Sequence, residues 1–180
     1  RVHAEDIFVS NSYTNSSCSV SVRECPDVAS ALRISSSFDS IFVQAGEYNG
    51  TQNANLCIAS CTGLKGITLA GLGDPSEVVF NSLGTDFADS IAMFIYENTI
   101  TSISNITFAG FSNPSAQEPN KVGAIEIVDS EVTFHHVIFR NNTGVFGGAM
   151  HAKNSNVTLN STHFDKNVAK LHGGAVMFVN

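Results

Sequence analysis

The last fifty residues of the chain consist of two similar segments in tandem, and this repeat restricts the fold more than any other feature. EVTFHHVIFRNNTGVFGGAMHAKNS (131–155) is followed by NVTLNSTHFDKNVAKLHGGAVMFVN (156–180), at an offset of 25 residues. The matched pairs are Val132 with Val157, Thr133 with Thr158, Phe134 with Leu159, Phe139 with Phe164 and Asn142 with Asn167. A period of this length indicates a repeat architecture, in which each copy packs on its neighbours.

A Gly-Gly-Ala triplet ends the matched part of each copy. It stands at 147–149 and returns at 173–175, an offset of 26, so one residue is inserted between Asn167 and Gly173. We expect this insertion to lie in a turn. The two glycine pairs, Gly147 with Gly148 and Gly173 with Gly174, are expected at a corner that needs a positive φ or a close backbone approach.

A looser third copy precedes these two. Ile103, Ile106 and Phe108 fall 31 residues before Phe134, Val137 and Phe139, whereas Gly123-Ala124-Ile125 falls only 25 before Gly148-Ala149-Met150. Six extra residues must therefore loop out, and the Pro-, Ser- and Asn-rich stretch 111–121 is the predicted place. Four further β-type runs lie upstream, at 41–48, 66–73, 78–80 and 91–96.

Apolar residues alternate within each repeat, which is the pattern of strands with one buried face, and no helical pattern of eleven residues fits inside a repeat. A chain that makes one turn per repeat stacks each strand on its copy about 4.8 Å away. The predicted fold is therefore all-β, a right-handed parallel β-helix with coils of about 25 residues. Phe139 and Phe164 are expected to stack inside it. Asn142 is expected to adopt left-handed geometry at a turn and to hydrogen-bond to Asn167.

The first residues have a different pattern. Pro26 precedes apolar residues at 28, 31 and 32, which predicts a short amphipathic helix that covers the end of the core. We therefore divide the chain into an N-terminal cap with a disulfide and a helix (1–37) and a β-helix (38–180). The sequence stops within a strand, so we expect the last coil to be open, with either more chain beyond Asn180 or another molecule covering it.

Cysteines and sequons point to the secretory route. Local disulfides, Cys18 with Cys25 and Cys57 with Cys61, are favoured among three possible connectivities. The spacings of seven and four residues do not match zinc-binding pairs, so a metal site is not expected. Six N-x-[ST] sequons predict N-glycosylation at Asn15, Asn49, Asn105, Asn141, Asn156 and Asn160. Together they predict a secreted or cell-surface glycoprotein.

Charge and hydropathy exclude two classes of partner. The net charge is -7 and only 14% of residues are charged, so no basic surface is available for nucleic acid. No apolar run approaches the roughly 20 residues that span a bilayer, and the N-terminus lacks the apolar core of a signal peptide. The sequence is therefore interpreted as a mature, soluble chain.

Two paired motifs resemble the repeats of chlamydial polymorphic outer membrane proteins, which couple F-x-x-N with G-G-A-[ILV]. The F-x-x-N motif occurs at 139–142 and 164–167, and the glycine motif follows at 147–150 and 173–176. The earlier copy departs from the pattern, since Phe111 replaces the asparagine and Val122 the first glycine. The upstream runs resemble the opening coils of the pectin-lyase-like superfamily. The resemblance implies a parallel β-helix over residues 25–180 and an adhesive role.

Catalytic chemistry is not expected. Lyases of the pectin-lyase-like type need an aspartate cluster for calcium and a basic residue, and the hydrolases need paired carboxylates. The aspartates are scattered singly, at Asp39, Asp74, Asp86, Asp89, Asp129 and Asp165. At the repeat offsets His135 lies over Asn160, His151 over Met177 and Ile138 over His163, so no histidine column exists and the histidines are interpreted as single surface residues. No catalytic residue, metal site or cofactor is predicted.

The predicted function is a non-catalytic, extracellular structural or adhesive glycoprotein module, part of a longer surface or filament protein. Expected partners are proteins, further copies joined through the open C-terminal coil, or glycans. The alternatives are a polysaccharide lyase or hydrolase, in which carboxylates from adjacent coils converge in a groove, and a carbohydrate-binding module, which needs aligned exposed aromatics. Because glycans would crowd the walls that carry them, a binding face should lie on the side that the sequons leave bare.

Overall fold

The computed structural model describes residues 4–13, 18–58, 62–82, 90–113 and 122–180. They form a parallel β-solenoid of about four turns, which confirms the predicted fold class. The elements in chain order are β1 (Asp6–Val9), β2 (Glu24–Cys25), α1 (Val28–Ile34), β3 (Ser40–Val43), β4 (Gly46–Tyr48), a 3₁₀ helix (Thr51–Asn53), β5 (Leu56–Ile58), β6 (Gly66–Gly71), β7 (Val78–Asn81), β8 (Met93–Ile95), β9 (Ile100–Ala109), β10 (Ile125–Val128), β11 (Glu131–Arg140), β12 (Thr143–Phe146), β13 (Met150–Lys153), β14 (Asn156–Asn160), β15 (His163–Asp165), β16 (Val168–His172) and β17 (Val176–Val179).

The strands form three parallel sheets that run along the solenoid. The main sheet contains β1 to β4, β6, β7, β9, β11, β14 and β15, and the second sheet contains β5, β8, β10, β13 and β17. The third sheet is the pair β12 and β16. Each strand pairs with the equivalent strand of the next coil, so every coil buries its inner face only against its two neighbours.

The register between coils follows the repeat. Val132 pairs with Val157 and Phe139 with Phe164 at an offset of 25, and Phe108 pairs with Phe139 at an offset of 31. Ile125 pairs with Met150, again at 25, so the six extra residues of the third copy lie between these two points. Part of the stretch predicted for them, 114–121, lies outside the described residues.

The single inserted residue of the last coil lies in a strand, and the prediction of a turn was wrong. Gly144 pairs with Ala169 at an offset of 25, and Phe146 pairs with His172 at 26. Two residues of β16 therefore face one residue of β12, which is a β-bulge. A bulge takes up one extra residue by a local kink and leaves the register on both sides intact.

A column of five aromatic rings forms the axis of the core. The rings of successive coils are 5.3, 5.6, 5.4 and 5.2 Å apart between centroids. In order they belong to Tyr48, Phe80, Phe108, Phe139 and Phe164. The stack of Phe139 on Phe164 that the repeat predicted is confirmed, with an angle of 6° between the ring planes. The column starts at Tyr48, whose hydroxyl donates to the carbonyl of Gln44 and whose pKa is raised by burial to about 12.

Corners of the coil are made by single residues in left-handed conformation, stacked in register. Three such columns have φ between 48° and 71°: Asn98, Asp129 and Asn154; Asn105, His136 and Ser161; Gly110, Asn141 and Lys166. Within each column the offsets are 31 and 25 residues. Asparagine, aspartate and glycine tolerate this conformation best, which is why they recur at these corners. The predicted left-handed geometry of Asn142 was wrong, since the residue before it, Asn141, has φ 55°.

Asn142 nevertheless forms the predicted ladder with Asn167. Its side-chain amide donates to Asn167 Oδ1 at 2.9 Å and to the carbonyl of Phe108 at 3.1 Å, and its Oδ1 accepts from the backbone N–H of Phe111 at 2.9 Å. Asn167 repeats this pattern one coil later by donating to the carbonyl of Phe139. Each asparagine thus completes backbone hydrogen bonds of the preceding coil.

The predicted helix is confirmed as α1. Asp27 caps it by accepting a hydrogen bond from the N–H of Ser30, and Val28, Ala31 and Leu32 are buried. The helix packs beside β1 and β2 at the start of the core. β1 belongs to the segment predicted as a cap, yet it pairs in register with β3 in the main sheet. The division at residue 37 stays a prediction.

Glycines at the repeat corner allow coils to approach closely. A Cβ on Gly123 would lie 1.7 Å from the carbonyl oxygen of Gly148 in the next coil. We expect Gly123→Ala to lower the free energy of unfolding by about 3 kcal/mol, because one of the two coils must move. Urea denaturation followed by circular dichroism measures this value.

Gly174→Ala is the matched control for Gly123→Ala. Gly174 has φ 53° but no atom within 4 Å of its Cβ position, so the substitution costs only the backbone preference, about 1 kcal/mol. Equal stabilities of the two variants would contradict the role assigned to close approach.

Candidate functional site

The predicted disulfide between Cys18 and Cys25 is confirmed, with the Cα atoms 4.7 Å apart. It fastens the segment that precedes β2 to the end of that strand, where Cys25 is buried. Cys57 is also disulfide-bonded. The pairing predicted for Cys57 involves Cys61, which lies outside the described residues.

All five described sequon asparagines lie in the main sheet or directly after one of its strands: Asn49 after β4, Asn105 in β9, Asn141 after β11, and Asn156 and Asn160 in β14. Four of them are exposed and Asn105 is half-buried. Asn15 lies outside the described residues. Glycosylation stays a prediction at all six positions. The strands of the second sheet contain no sequon asparagine.

The bare outer face of the second sheet carries polar and aromatic side chains in two columns. The first column contains Phe94, Glu126, His151 and Met177, which pair in register across β8, β10, β13 and β17. The second column lies two residues further along each strand, with Tyr96 beyond the end of β8 and Lys153 in β13. This arrangement follows from the alternation of side chains in strands, since the residues between them point into the core.

A cleft of about 350 Å³ opens between these columns and the neighbouring corner. It is lined by Tyr96, Glu97, Glu126, Asp129, His151 and Lys153. Asp129 belongs to the corner column, and Tyr96 and Glu97 directly precede Asn98 of the same column. With His151 and Lys153, three successive coils contribute to one cavity.

Glu126 and His151 face each other in the cleft without a direct hydrogen bond. The Tyr96 hydroxyl donates to Oε2 of Glu126 at 2.6 Å, whereas Oε1 lies 3.9 Å from Nδ1 of His151. The side chains of His151 and Glu126 are only 5% and 12% exposed. Nδ1 of His151 is buried and has no hydrogen-bond partner. A buried polar atom of this kind is unusual in a folded protein and indicates a place for a ligand or an ordered water.

Burial raises the pKa of Tyr96, and its hydrogen bond to Glu126 and the negative charge there raise it further. The phenol therefore stays protonated and holds Oε2 of the carboxylate in place. Oε1 is left to interact with a group that enters the cleft.

One interpretation of the sequence needs correction here. His151 is buried in the cleft and is not a single surface histidine, although His135, His136, His163 and His172 are exposed as predicted. Sequence reasoning also missed Glu126 and Tyr96. The offset of 25 places Glu126 next to His151, and this pair is the signal in the sequence that could have found the site.

The aspartates remain dispersed over the described part of the chain, with one exception. Asp129 joins Glu97 and Glu126 in the cleft. Asp39 is buried near the cap and accepts hydrogen bonds from the N–H groups of Glu5 and Ser36, while Asp86 and Asp89 lie outside the described residues. Within the described ranges, no three His, Cys, Asp or Glu side chains are placed to hold a metal ion.

A second cleft of about 410 Å³ lies on the main sheet, between Asp74, Asn105, His136 and His163. The pKa of Asp74 is lowered by hydrogen bonds from Ser76, with a smaller contribution from His136. This cleft contains the sequon asparagine Asn105 and has no buried unpaired polar atom among its described lining residues. We therefore regard the second-sheet cleft as the candidate site.

Compared with protein-family models, curated proteins and solved structures, the chain matches none of them. The resemblance to chlamydial outer membrane protein repeats therefore rests only on the residues of the two motifs. None of the helices among the described residues is long and apolar enough to cross a membrane.

Proposed function

We propose that this chain is an extracellular structural or adhesive glycoprotein module of the parallel β-helix type, which binds its partner through the outer face of the second sheet. The observation that carries the proposal is the distribution of sequons. Every described sequon asparagine lies in the main sheet or directly after one of its strands, and the strands of the second sheet contain none. Glycans on the main sheet would shield that wall and leave the second sheet open to a protein partner.

The core supports a mechanical role. A column of stacked rings joins each coil to the next, and Asn142 and Asn167 add hydrogen bonds between the last coils. The module therefore behaves as a rigid spacer that presents its walls at fixed positions. The motif resemblance to adhesive outer membrane repeats agrees with this role.

A new glycan on the second sheet tests the proposal. Val128→Asn creates an Asn-Asp-Ser sequon at 128–130 on the bare face. We expect beads coated with the glycosylated wild-type chain to bind one another or eukaryotic cell surfaces more than albumin beads do. The Val128→Asn glycan should abolish this binding, because it covers the contact surface. Microscopy counts the bound beads, and peptide mass spectrometry after glycosidase treatment gives the occupancy of each sequon.

Glu131→Asn is the matched control, because it creates an Asn-Val-Thr sequon at 131–133 on the main sheet. Beads carrying that glycan should bind like the wild type. Loss of binding in both variants, or in neither, would contradict the assignment of the second sheet, and wild-type beads that bind nothing would contradict adhesion itself.

A polysaccharide-cleaving enzyme is the second candidate, because carboxylates from adjacent coils do converge in the cleft. Acidic groups outnumber basic ones there, which disfavours a polyanionic substrate. Release of reducing ends or unsaturated uronates from a polysaccharide panel, abolished by Glu126→Gln, would establish this candidate and overturn the first.

A further inference from the structure

We infer that the second-sheet cleft binds a basic side chain, a guanidinium or ammonium group, from a protein partner. The inference rests on the proposed function, because it gives the chemistry of the partner at the adhesive face. Three features of the cleft support it: the unpaired Nδ1 of His151, the free Oε1 of Glu126 and the excess of negative charge around both.

A single donor atom placed beside the line between His151 and Glu126 can reach both. Nδ1 and Oε1 are 3.9 Å apart, so a nitrogen at about 2.9 Å from each would donate to both. With the ring proton on Nε2, Nδ1 is an acceptor and needs such a donor. Both side chains are almost fully buried, so their positions are set by packing before a ligand arrives.

Charge selects a cation over a neutral hydroxyl group. Glu97, Glu126 and Asp129 line the cleft with Lys153 as the basic residue among them, and the whole chain has a net charge of -7. A hydrogen bond to an ionised group in such a site is roughly twice as strong as one between neutral groups. The ring of Tyr96 adds an aromatic wall, on which guanidinium groups pack well.

A metal ion fits less well than an organic cation. Calcium takes six or more oxygen ligands and zinc four nitrogen, sulfur or oxygen ligands. No three residues of the required types are grouped for this in the described part of the chain. One oxygen of Glu126 is already held by the Tyr96 hydroxyl. A guanidinium needs only the directional acceptors that the cleft offers.

Capped Gly-Arg-Gly, titrated into the full glycosylated chain, tests the inference. With ¹³C-labelled histidine, the NMR signal of His151 is assigned by its loss in the His151→Gln variant. We expect this signal to shift saturably with the arginine peptide and not with the same peptide containing the uncharged analogue citrulline. Glu126→Gln, which keeps the shape of the side chain, should weaken binding at least about tenfold.

Glu131→Gln is the control, because it removes one exposed carboxylate of the main sheet and should leave binding unchanged. Equal shifts with the citrulline peptide, no shift with either peptide, or a shift with an oligouronate would each overturn the inference. Bead adhesion separates the two proposals. If the Val128→Asn glycan abolishes adhesion while Glu126→Gln does not, the adhesive face stands and only the basic ligand is wrong.

Discussion

Phe139→Ala is expected to lower the free energy of unfolding by about 4 kcal/mol, enough to unfold a large fraction of molecules at moderate temperature. Phe139 is fully buried and its ring contacts three others, Phe108 at 5.4 Å, Phe164 at 5.2 Å and Phe134 edge-on at 5.6 Å. Truncation leaves a cavity in the middle of the column. The backbone of adjacent coils cannot close this cavity, because hydrogen bonds in the sheet fix the spacing between strands.

Urea denaturation of wild type and variant measures the loss, and Phe178→Ala is the control. Phe178 occupies an inward position of the last coil but is 55% exposed, so its removal should cost about 1 kcal/mol or less. A loss at Phe139 no larger than at Phe178 would mean that the stacked column does not hold the coils together.

The sequence predicted the parts of the fold in which similar residues repeat at similar positions. Identical residues occupy equivalent sites in successive coils, as Phe139 and Phe164 do, and Asn142 and Asn167. Their repetition therefore predicts the stacking directly. The corners were harder to predict from the sequence, because Asn98, Asp129 and Asn154 share a backbone conformation and not a side chain. The inserted residue of the last coil was wrongly predicted to lie in a turn. An offset shows that a residue is inserted, but it does not show where the hydrogen bonds accommodate it, which is in β16.

The candidate site could not be predicted in the same way, because its residues are all different. Glu126 pairs with His151 at an offset of 25 but with Phe94 at an offset of 32. The earlier coil has one more residue between this strand position and the corner, where both Glu97 and Asn98 have positive φ. A function needs unlike groups close together, whereas a repeat reveals only like ones. The cleft therefore became visible only in three dimensions.

Asn142→Ala should lower the free energy of unfolding by about 3 kcal/mol. The side chain is fully buried, and its removal deprives the N–H of Phe111 of the acceptor at 2.9 Å and the carbonyl of Phe108 of the donor at 3.1 Å. Each buried polar group that loses its partner costs about 1–3 kcal/mol. Thermal unfolding followed by circular dichroism measures the effect, and Asn142→Asp should not rescue it, because a carboxylate cannot donate to Phe108 or Asn167.

Asn167→Ala provides the comparison, since Asn167 makes an equivalent bond to the carbonyl of Phe139 but is only half-buried in the last coil. Water can replace the lost donor to the Phe139 carbonyl, but the N–H and side-chain amide of buried Asn142 lose their acceptor, Asn167 Oδ1. The expected cost is therefore about 2 kcal/mol, smaller than at Asn142. The ladder starts at Asn142, because Phe111 occupies the equivalent site of the coil before it and contributes only its backbone N–H. A variant at 142 as stable as the one at 167 would therefore show that stacked apolar side chains alone set the register, and that the asparagines of the F-x-x-N motif have another purpose.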